Sequence, residues 1–339
     1  MAQMTDIVAL GESLIDFVAT PSADGSNIRM DGCVGGAPLN ALAAAAKLGR
    51  SVAYITKVGR DVFGDNIKKR MKDSGIDLRG VVSTGDALTT LAIVSLSDAG
   101  ERSFAFYRDG TADILLRESD IDKDLISQCR IFHFGSVSLT SDPARETTLR
   151  AASFARSAGV KISFDPNYRA FLWKKEADAR RLIREGLALA DYVKINEDEA
   201  RLLTGTEEPE EAASLLMSRY DFDFLAITSG AKGSSGFTKS AKQTVPSYDV
   251  KVVDTTGAGD AFWGAALHKL LLFEDANTSL GDAALYSLLS YAGAAGALTT
   301  TARGALTAQA TDFEILQFMA DSSRTNGNGR GTRHVPRDI

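Results

Sequence analysis

The sequence is poor in the residues on which several enzyme classes depend. It contains two cysteines and three histidines among 339 residues. Cys33 and Cys129 are too few and too far apart to form a disulfide scaffold or a zinc site. His268 falls in a predicted helix and His334 lies near the end of the chain, and neither has an evident serine or cysteine partner. A hydrolase triad therefore has no support in the sequence.

Three common nucleotide-binding signatures are also missing. The chain has no G-x-x-x-x-G-K-[ST] phosphate loop and no H-R-D catalytic loop, and its first predicted strand is not followed by G-x-G-x-x-G. The sequence therefore indicates neither a P-loop enzyme nor a protein kinase. An NAD-dependent oxidoreductase remains only as a weakened alternative, because the glycine fingerprint of its cofactor fold is absent.

Excess charge and long apolar runs are absent as well. The net charge of −6, the pI near 5.3 and the scattered lysines and arginines argue against nucleic acid as a partner. The most apolar stretch, residues 283–298, is rich in small residues and too short to span a bilayer. The N-terminus carries no basic signal region. We therefore expect no membrane partner and a cytoplasmic location, with which the widely separated cysteines agree.

The pattern of apolar runs predicts an α/β fold. After residue 130, short strand-like runs alternate with amphipathic helical segments, with predicted strands at 131–134, 161–164, 192–195 and 224–228 and predicted helices at 144–158, 176–190, 197–203 and 209–219. Such alternation is typical of a parallel sheet with helices on both faces, in which ligands bind beyond the carboxyl ends of the strands.

A hairpin pattern interrupts this alternation early in the chain. Residues 88–97 and 102–108 are predicted strands joined by Asp98-Ala-Gly100. With strands from residues 12–32 they predict a small separate sheet, a lid formed by about 12–32 and 86–113. Its apolar residues Phe104 and Phe106 favour a homodimer through the lid. We assign 1–320 to one main domain and expect the polar tail, 321–339, to be at least partly disordered.

The most informative motif is Asp254-Thr-Thr-Gly-Ala-Gly-Asp260, which precedes a small-residue helical run. A β-branched stretch with Val250, Val252 and Val253 leads into it and predicts a strand there. The backbone N–H groups of Gly257, Ala258 and Gly259 would lie at a helix N-terminus, which attracts phosphate or a developing oxyanion. Because Asp260 is negative, it suits proton abstraction from an attacking hydroxyl better than phosphate binding. The competing interpretation is an N-cap aspartate at an ordinary strand-to-helix turn.

Five further features suit ligand binding, and each has a structural alternative. The block Gly35-Gly36-Ala-Pro-Leu-Asn40 could bind a sugar; the alternative is a turn with proline at a helix start. Asp16 could bind a vicinal diol; the alternative is that it faces solvent from a strand. Arg169 suits phosphate, or forms a surface salt bridge. Asn196 and Glu199 lie three residues apart and could bind a hydrated Mg²⁺ ion; the alternative is that they cap the start of a helix. The glycine turn after Thr228 suits a nucleotide, or is an ordinary turn.

Taken together, these motifs resemble those of the PfkB, or ribokinase-type, carbohydrate kinases. The resemblance covers roughly residues 5–313 and includes both the Gly35-Gly36 block with Asn40 and the 254–260 block. It implies a ribokinase-like three-layer α/β/α fold with a mostly parallel central sheet and a small β-sheet lid. It also implies an in-line phosphoryl transfer in which Asp260 is the base and residues 257–259 form the anion hole.

The resemblance implies roles for the other candidate residues, together with ATP, Mg²⁺ and in many members K⁺. Sugar binding falls to Asp16, Gly35, Gly36, Asn40, Arg108 and Asp260, and Arg169 reaches substrate or phosphate. Nucleotide binding falls to Lys194, Asn196, Thr228, Gly230, Gly233 and Gly259, and Mg²⁺ to water bridges from Asn196 and Glu199. A K⁺ site would use Asp254, Thr256, Thr299, Ala302 and Gly304.

The sugar is less closely specified than the chemistry. The strings Gly100-Glu-Arg-Ser-Phe-Ala-Phe-Tyr-Arg108 and Phe164-Asp-Pro-Asn-Tyr-Arg169 resemble the fructokinase branch, which implies D-fructose as the small-molecule substrate. The alternative is 2-keto-3-deoxygluconate kinase, for which Tyr107 and Arg108 would bind the substrate carboxylate. Ribokinase, a nucleoside kinase and a catalytically silent sugar-binding protein are remoter alternatives.

Overall fold

The computed structural model describes residues 4–21, 28–96 and 102–328. Nine strands of this described chain form a large sheet: β1 (Thr5–Leu10), β4 (Val52–Gly59), β5 (Val81–Thr84), β8 (Cys129–Gly135), β9 (Lys161–Asp165), β10 (Tyr192–Asn196), β11 (Phe224–Thr228), β12 (Ser234–Phe237) and β13 (Lys242–Val245). Four more form a small sheet: β2 (Leu14–Pro21), β3 (Ile28–Gly35), β6 (Thr90–Leu96) and β7 (Arg102–Tyr107).

The large sheet has the order β13-β12-β11-β10-β9-β8-β1-β4-β5 and is parallel except at β12 and β13. Strand β1, which lies inside the sheet between β8 and β4, is buried on both faces. Ile7 and Ala9 belong to one hydrophobic cluster, whereas Val8 and Leu10 belong to the other. Because successive side chains of a strand point to opposite faces, this alternation divides the core into two layers separated by the sheet.

Ten α-helices of the described chain cover the sheet. The cluster containing Ile7 includes side chains of α1 (Ala37–Lys47), α2 (Val62–Asp73), α8 (Ala258–Asp275), α9 (Asp282–Thr299) and α10 (Asp312–Asn328). The cluster containing Val8 includes those of α3 (Lys123–Ser127), α4 (Ala144–Ser157), α5 (Glu176–Leu189), α6 (Glu197–Thr204) and α7 (Pro209–Met217). The predicted three-layer α/β/α fold is therefore confirmed. Among the described helices, none has the length and apolar character needed to cross a membrane.

The small sheet stands apart from the large one, as predicted. Its order is β3-β2-β6-β7, with β2 and β6 parallel and the other two pairs antiparallel. These strands fall within the segments assigned to the lid, except that β3 continues to Gly35. The predicted turn at 98–100 and the side chain of Phe104 lie outside the described residues. Phe106 packs against Phe171, with 5.0 Å between ring centroids.

The boundary predicted at residue 320 falls inside a helix. Helix α10 continues to Asn328, although 321–328 is polar. The helix begins with a reciprocal cap, because Thr311 N–H donates to Glu314 (2.7 Å) and Glu314 N–H donates to the Thr311 hydroxyl (3.3 Å). Ile315 is fully buried in the core, and Phe318 packs against the same core cluster. Tertiary packing of the first turns therefore extends the helix beyond the apolar pattern.

The expected strand before the 254–260 motif is absent from the described chain. Residues 248–253 are irregular, and Val252 and Val253 are exposed. The N–H groups of Val253 and Asp254 both donate to the carbonyl of Thr300, at 2.8 and 3.1 Å. The segment is held by the loop after α9 and not by a sheet, which is why its β-branched residues do not form a strand.

Candidate active site

Helix α8 begins at the glycine-rich motif and presents an open N-terminus. Gly257 is its N-cap, with a φ of 79°, and a Cβ there would overlap Ala305. No side chain of the described residues caps this helix. The N–H of Ala258 donates to the Thr255 carbonyl at 3.3 Å, a long bond that an anion can replace, and the N–H of Gly259 points along the same open helix end.

Asp260 lies in the first turn of α8, so it is not the N-cap residue of the competing interpretation. Its carboxylate is buried and is held from two sides. The amide Nδ2 of Asn40 donates to Oδ2 (2.8 Å) and that of Asn167 donates to Oδ1 (2.9 Å). Burial raises the pKa of Asp260, and the positive charge of Lys194 opposes that rise. These are the features of a tuned proton acceptor.

Behind the glycine-rich turn at 257–259 lies a buried ion pair. Lys194 Nζ is 2.7 Å from Asp165 Oδ2, and each side chain is 5% exposed. A Cβ added to Gly259 would lie 3.2 Å from Nζ, so the ammonium group lies close to the helix N-terminus. Burial lowers the pKa of Lys194, but the carboxylates of Asp165, Glu199 and Asp260 outweigh burial and raise it. Lys194 is therefore a fixed positive charge beside the predicted phosphoryl position.

Asn196 and Glu199 form a capping box at the start of α6. Asn196 Oδ1 accepts the N–H of Glu199 and Glu199 Oε2 accepts the N–H of Asn196, both at 2.8 Å. Glu199 Oε1 accepts the N–H of Tyr168 at 2.7 Å. The helix-cap alternative thus explains this pair fully. Its role toward Mg²⁺ stays a prediction, and within the described residues no group of three or more His, Cys, Asp or Glu residues is arranged to hold a metal ion.

The predicted sugar loop packs closely against the chain itself. A Cβ on Gly35 would overlap the Asp16 carboxylate, and one on Gly36, where φ is 129°, would overlap the carbonyl of Glu12. Glu12 Oε1 accepts the N–H of Ala37 at 2.9 Å. Because Gly35 and Gly36 have no side chains, β2 and the turn before it can lie close against this loop. From the sequence, the same two glycines were expected to make room for a ligand.

Asp16 does not simply face solvent from its strand. Burial raises its pKa to about 6; the positive charge of Arg169 opposes this rise, and the negative charge of Asp260 adds to it. These electrostatic contacts place Asp16 in the same site as Asp260 and Arg169, although the three residues are far apart in the sequence. Asp16 is therefore available as a sugar-binding carboxylate.

The two predicted arginines differ in their surroundings. Arg108 is buried: its Nε donates to Asp113 (2.8 Å), and its terminal nitrogens donate to the Thr140 hydroxyl (2.6 Å) and the Val137 carbonyl (3.1 Å). Arg169 is exposed and bonds only weakly within its own loop. Arg108 thus braces the base of the lid, whereas Arg169 has a guanidinium open toward the site. Substrate contact by either residue stays a prediction.

The predicted nucleotide residues lie beyond β11, at the same sheet edge. Thr228 ends that strand, opposite Asn196 in the parallel register. Gly230 and Gly233 follow with φ of 53° and 108°, and a Cβ on Gly233 would overlap the carbonyl of Val245. The glycines of this turn are therefore required by the close packing at the start of β12, and nucleotide binding by the turn stays a prediction.

The predicted K⁺ residues occupy the loop before α8, the last residue of α9 and the loop that follows α9. Asp254 accepts the N–H and hydroxyl of Thr256, at 3.0 and 2.8 Å. The backbone bonds from 253 and 254 to Thr300 bring this loop against the segment containing Thr299, Ala302 and Gly304. Thr299 itself is buried and its hydroxyl donates to Ala295. The loops lie together as expected; ion binding stays a prediction.

Three residues that the sequence analysis did not select belong to this site. Asn167 binds Asp260, Asp165 neutralises Lys194, and Glu12 holds the start of α1. Burial raises the pKa of Glu12 to about 7. Asp165 and Asn167 lie in the same post-strand string as Arg169, so their position past β9 was an available signal.

The family described as pfkB family carbohydrate kinase matches residues 4–312. The chain belongs to the pfkB family of carbohydrate kinases. The resemblance identified from the two sequence motifs is thereby confirmed, and a sugar kinase is the enzyme class that this membership supports.

Individual relatives carry a narrower name. Fructokinase-1 of Oryza sativa subsp. japonica is 38% identical over 317 residues, covering 92% of this chain and 97% of the relative. The crystal structure of a fructokinase with bound ATP from Xylella fastidiosa has a TM-score of 0.84 and 32% identity, covering 94% of this chain and 99% of that one. A fructokinase double mutant from Vibrio cholerae O395, in a form with fructose, ADP and potassium ion, has a TM-score of 0.80 and 30% identity, covering 94% and 100%.

Proposed function

We propose that the chain is an ATP-dependent fructokinase, which transfers the γ-phosphoryl group of ATP to D-fructose and releases fructose 6-phosphate and ADP. The observation that carries the proposal is the Asp260 carboxylate, buried at the open N-terminus of α8 and held by two amides. A carboxylate in this position accepts the proton of an attacking hydroxyl, while the neighbouring N–H groups stabilise the transferred phosphoryl. Fructose is favoured because the rice, Xylella and Vibrio relatives are named fructokinases.

The sugar-binding part of the proposal rests on unused hydrogen-bonding groups beside the base. Asn40 donates to Asp260, but its Oδ1 is buried without a partner in the described chain. A sugar hydroxyl that donates to this oxygen would satisfy it. The Asp16 carboxylate supplies a second acceptor, and the loop of Gly35 and Gly36 lies beside it. These groups orient one hydroxyl of the sugar toward Asp260.

The phosphate-binding part of the proposal rests on positive charge that the protein itself supplies. Lys194, the α8 N-terminus and Arg169 supply positive potential around the position of the phosphoryl group. Because the oxygens of Asn196 and Glu199 already accept N–H groups, these residues suit a Mg²⁺ ion that carries its own water shell. When bound with ATP, Mg²⁺ neutralises phosphate charge. The adjacent loops at 254–256 and 299–304 are the proposed K⁺ site, and Thr228, Gly230 and Gly233 the proposed nucleotide loop.

A keto-acid substrate is less well supported than fructose. Binding its carboxylate through the lid would require a free cation, and Arg108 is already paired with Asp113 in a buried ion pair at 2.8 Å. Breaking such a pair leaves an uncompensated buried charge, which is costly. Arg169 is open, but it serves the phosphate in the proposed arrangement. We therefore keep 2-keto-3-deoxygluconate as the competing substrate in the test.

The decisive assay measures ADP release with Mg-ATP and K⁺. D-fructose and 2-keto-3-deoxygluconate are compared side by side, with ribose, glucose and adenosine as further acceptors and the Asp260→Ala variant as blank. We expect kcat/KM for fructose to exceed that for every other acceptor by at least about 10-fold, the scale that a few matched hydrogen bonds provide. A preference for the keto acid would overturn the choice of sugar and leave the phosphoryl-transfer proposal in place.

Fructose binding is expected to weaken in mild acid. The pKa of Asp16 is raised to about 6 by burial, so its carboxylate is ionised above that pH and protonated below it. Because the ionised form accepts hydrogen bonds from sugar hydroxyls, the dissociation constant should rise as pH falls from about 8 to about 5. Isothermal titration calorimetry without ATP measures it. In Asp16→Asn, binding should be weaker and its pH dependence reduced; an identical pH profile in both proteins would contradict the role of Asp16.

The assembly and location are also proposed. A homodimer through the small sheet is supported by exposed apolar side chains on its strands, Val18 and Met30, which are 40% and 43% exposed. Phe106 does not support it, since it packs within the subunit on Phe171. Sedimentation as a monomer would contradict the dimer. A cytoplasmic location accords with the ATP requirement and with two unpaired cysteines, Cys33 and Cys129.

A further inference from the structure

Asn167 occupies a backbone position that few residues adopt. Its φ is 46°, in the left-handed region, where glycine, asparagine and aspartate are the residues accommodated most readily. The loop around it is fixed on both sides. The Pro166 carbonyl accepts the N–H of Ser136 (2.9 Å), and the N–H of Tyr168 donates to Glu199 (2.7 Å). The N–H of Asn167 itself donates to Asp165 Oδ1 at 3.2 Å.

This fixed loop directs the Asn167 amide at Asp260. Nδ2 lies 2.9 Å from Asp260 Oδ1, while Asn40 Nδ2 lies 2.8 Å from the other oxygen, Oδ2. Of the three residue types that suit the backbone, only asparagine offers a side-chain donor without adding charge. Glycine would leave Oδ1 without this partner, and aspartate would place a second carboxylate against it. The residue type at 167 therefore matches both the backbone and the carboxylate.

We propose that Asn167 is a positioning residue for the reaction: together with Asn40, it fixes the orientation of the Asp260 carboxylate and stabilises its ionised, proton-accepting form. The inference rests on the proposed role of Asp260 as base. Asn40 and Asn167 differ in the hydrogen-bonding atoms that remain free for a sugar. Asn40 is left with a free Oδ1 for a sugar hydroxyl, whereas the geometry of Asn167 is determined by the loop after β9. Asn167 thus links the sheet edge to the base.

The charged groups around Asp260 explain why a neutral donor matters there. Burial raises its pKa most strongly; Lys194 on β10 and Arg169 after β9 lower it, and Asp165 at the end of β9 raises it. Asp16 on β2 also interacts with Asp260. Two further carboxylates therefore face the base. A hydrogen bond from Asn167 favours the ionised form against burial and against these like charges.

The test compares Asn167→Gly with Asn167→Asp, because both retain the left-handed backbone. In Asn167→Gly we expect kcat to fall about 10-fold or more, the scale of one hydrogen bond to a charged group, with a smaller change in the fructose dissociation constant. In Asn167→Asp we expect the acid limb of the kcat–pH profile to move up by about 1 unit or more, because a like charge opposes ionisation. A role confined to folding would change the melting temperature without moving this limb.

Asn277 provides a matched control. It has a φ of 51°, is exposed, and lies in the turn after α8. Asn277→Gly and Asn277→Asp make the same changes on the same type of backbone away from Asp260. We expect both to leave the pH profile unchanged, so their melting temperatures report the cost of the backbone substitution alone.

A second measurement does not depend on turnover. The Asp260 carboxyl is followed by NMR in protein labelled with ¹³C at aspartate Cγ, and its signal is identified by its loss in Asp260→Ala. We expect the pKa of this carboxyl to rise in both Asn167 variants, by about 1 unit or more. An unchanged pKa in both variants, or an unchanged kcat with an unchanged acid limb, overturns the inference on Asn167. Near-normal turnover of Asp260→Ala overturns instead the assignment of the base and, with it, the positioning role.

Discussion

Replacement of Asp260 by alanine is expected to lower kcat by about 10³-fold, within the range that a positioned general base contributes. The carboxylate is buried, lies in the first turn of α8 and is oriented by two amide donors, all of which the substitution abolishes. The anion-binding N–H groups of the helix remain, and some turnover should therefore persist. Steady-state ADP release at saturating fructose and ATP measures the effect.

Two controls show whether the fall in kcat of Asp260→Ala comes from the loss of the base alone. Fructose affinity of Asp260→Ala, measured by calorimetry without ATP, should change by less than about 10-fold, because Asp16 and the free Asn40 oxygen remain. Asp282→Ala removes an exposed aspartate from the first turn of α9 and should leave kcat unchanged. Turnover of Asp260→Ala close to that of the wild type would show that another group accepts the proton.

Replacement of Lys194 by methionine is expected to lower the free energy of unfolding by about 3–5 kcal/mol, the cost of leaving a buried charge unpaired. Its partner, Asp165, is buried at 2.7 Å and would face Glu199 and Asp260 without a neutralising ammonium group. The same change removes positive charge from beside Gly259, so phosphoryl transfer should also slow. Urea unfolding, followed by circular dichroism, measures the loss of stability.

An exposed ion pair offers the matched comparison. Lys242 is 2.9 Å from Glu210, and both side chains are about two-thirds exposed, at 66% and 68%. Lys242→Met should cost less than about 1 kcal/mol, because solvent screens such a pair. Adding Asp165→Asn to Lys194→Met should recover part of the lost stability, since it removes the unpaired charge. Equal losses in Lys194→Met and Lys242→Met would contradict the importance of burial.

Local sequence patterns predicted much of the fold because their causes are local. Short apolar runs that alternate with amphipathic segments indicated parallel strands with helices on both faces, and the glycines indicated helix ends and tight turns. The prediction was wrong where partners elsewhere in the chain decide the conformation. Val252 and Val253 favour a strand by residue type, but the N–H groups of Val253 and Asp254 bond to the Thr300 carbonyl and the segment joins no sheet.

The site shows the same division. Asp260 and the glycines before it could be selected from the sequence, since a helix N-terminus with a carboxylate in its first turn has a recognisable chemistry. Asn167 could not be assigned, because its importance depends on a contact across 93 positions of the chain. Arg108 was expected to reach substrate, and in the fold its terminal nitrogens donate to Thr140 and Val137, which lie 32 and 29 positions away. Long-range neighbours thus decided which polar side chains are free.

By itself, the sequence determined the fold class, the family, the glycine-rich turn and the identity of the candidate base, because each depends on patterns within short stretches of the chain. Only the tertiary structure decided how that base is held, which cations are already paired and which acceptors remain open. Parallel strands bring their carboxyl ends to one edge of the sheet, where Asn40, Asn167 and Asp260 meet. Hydrogen bonds and buried charges act over a few ångströms in space, so their partners are set by packing and not by distance along the chain.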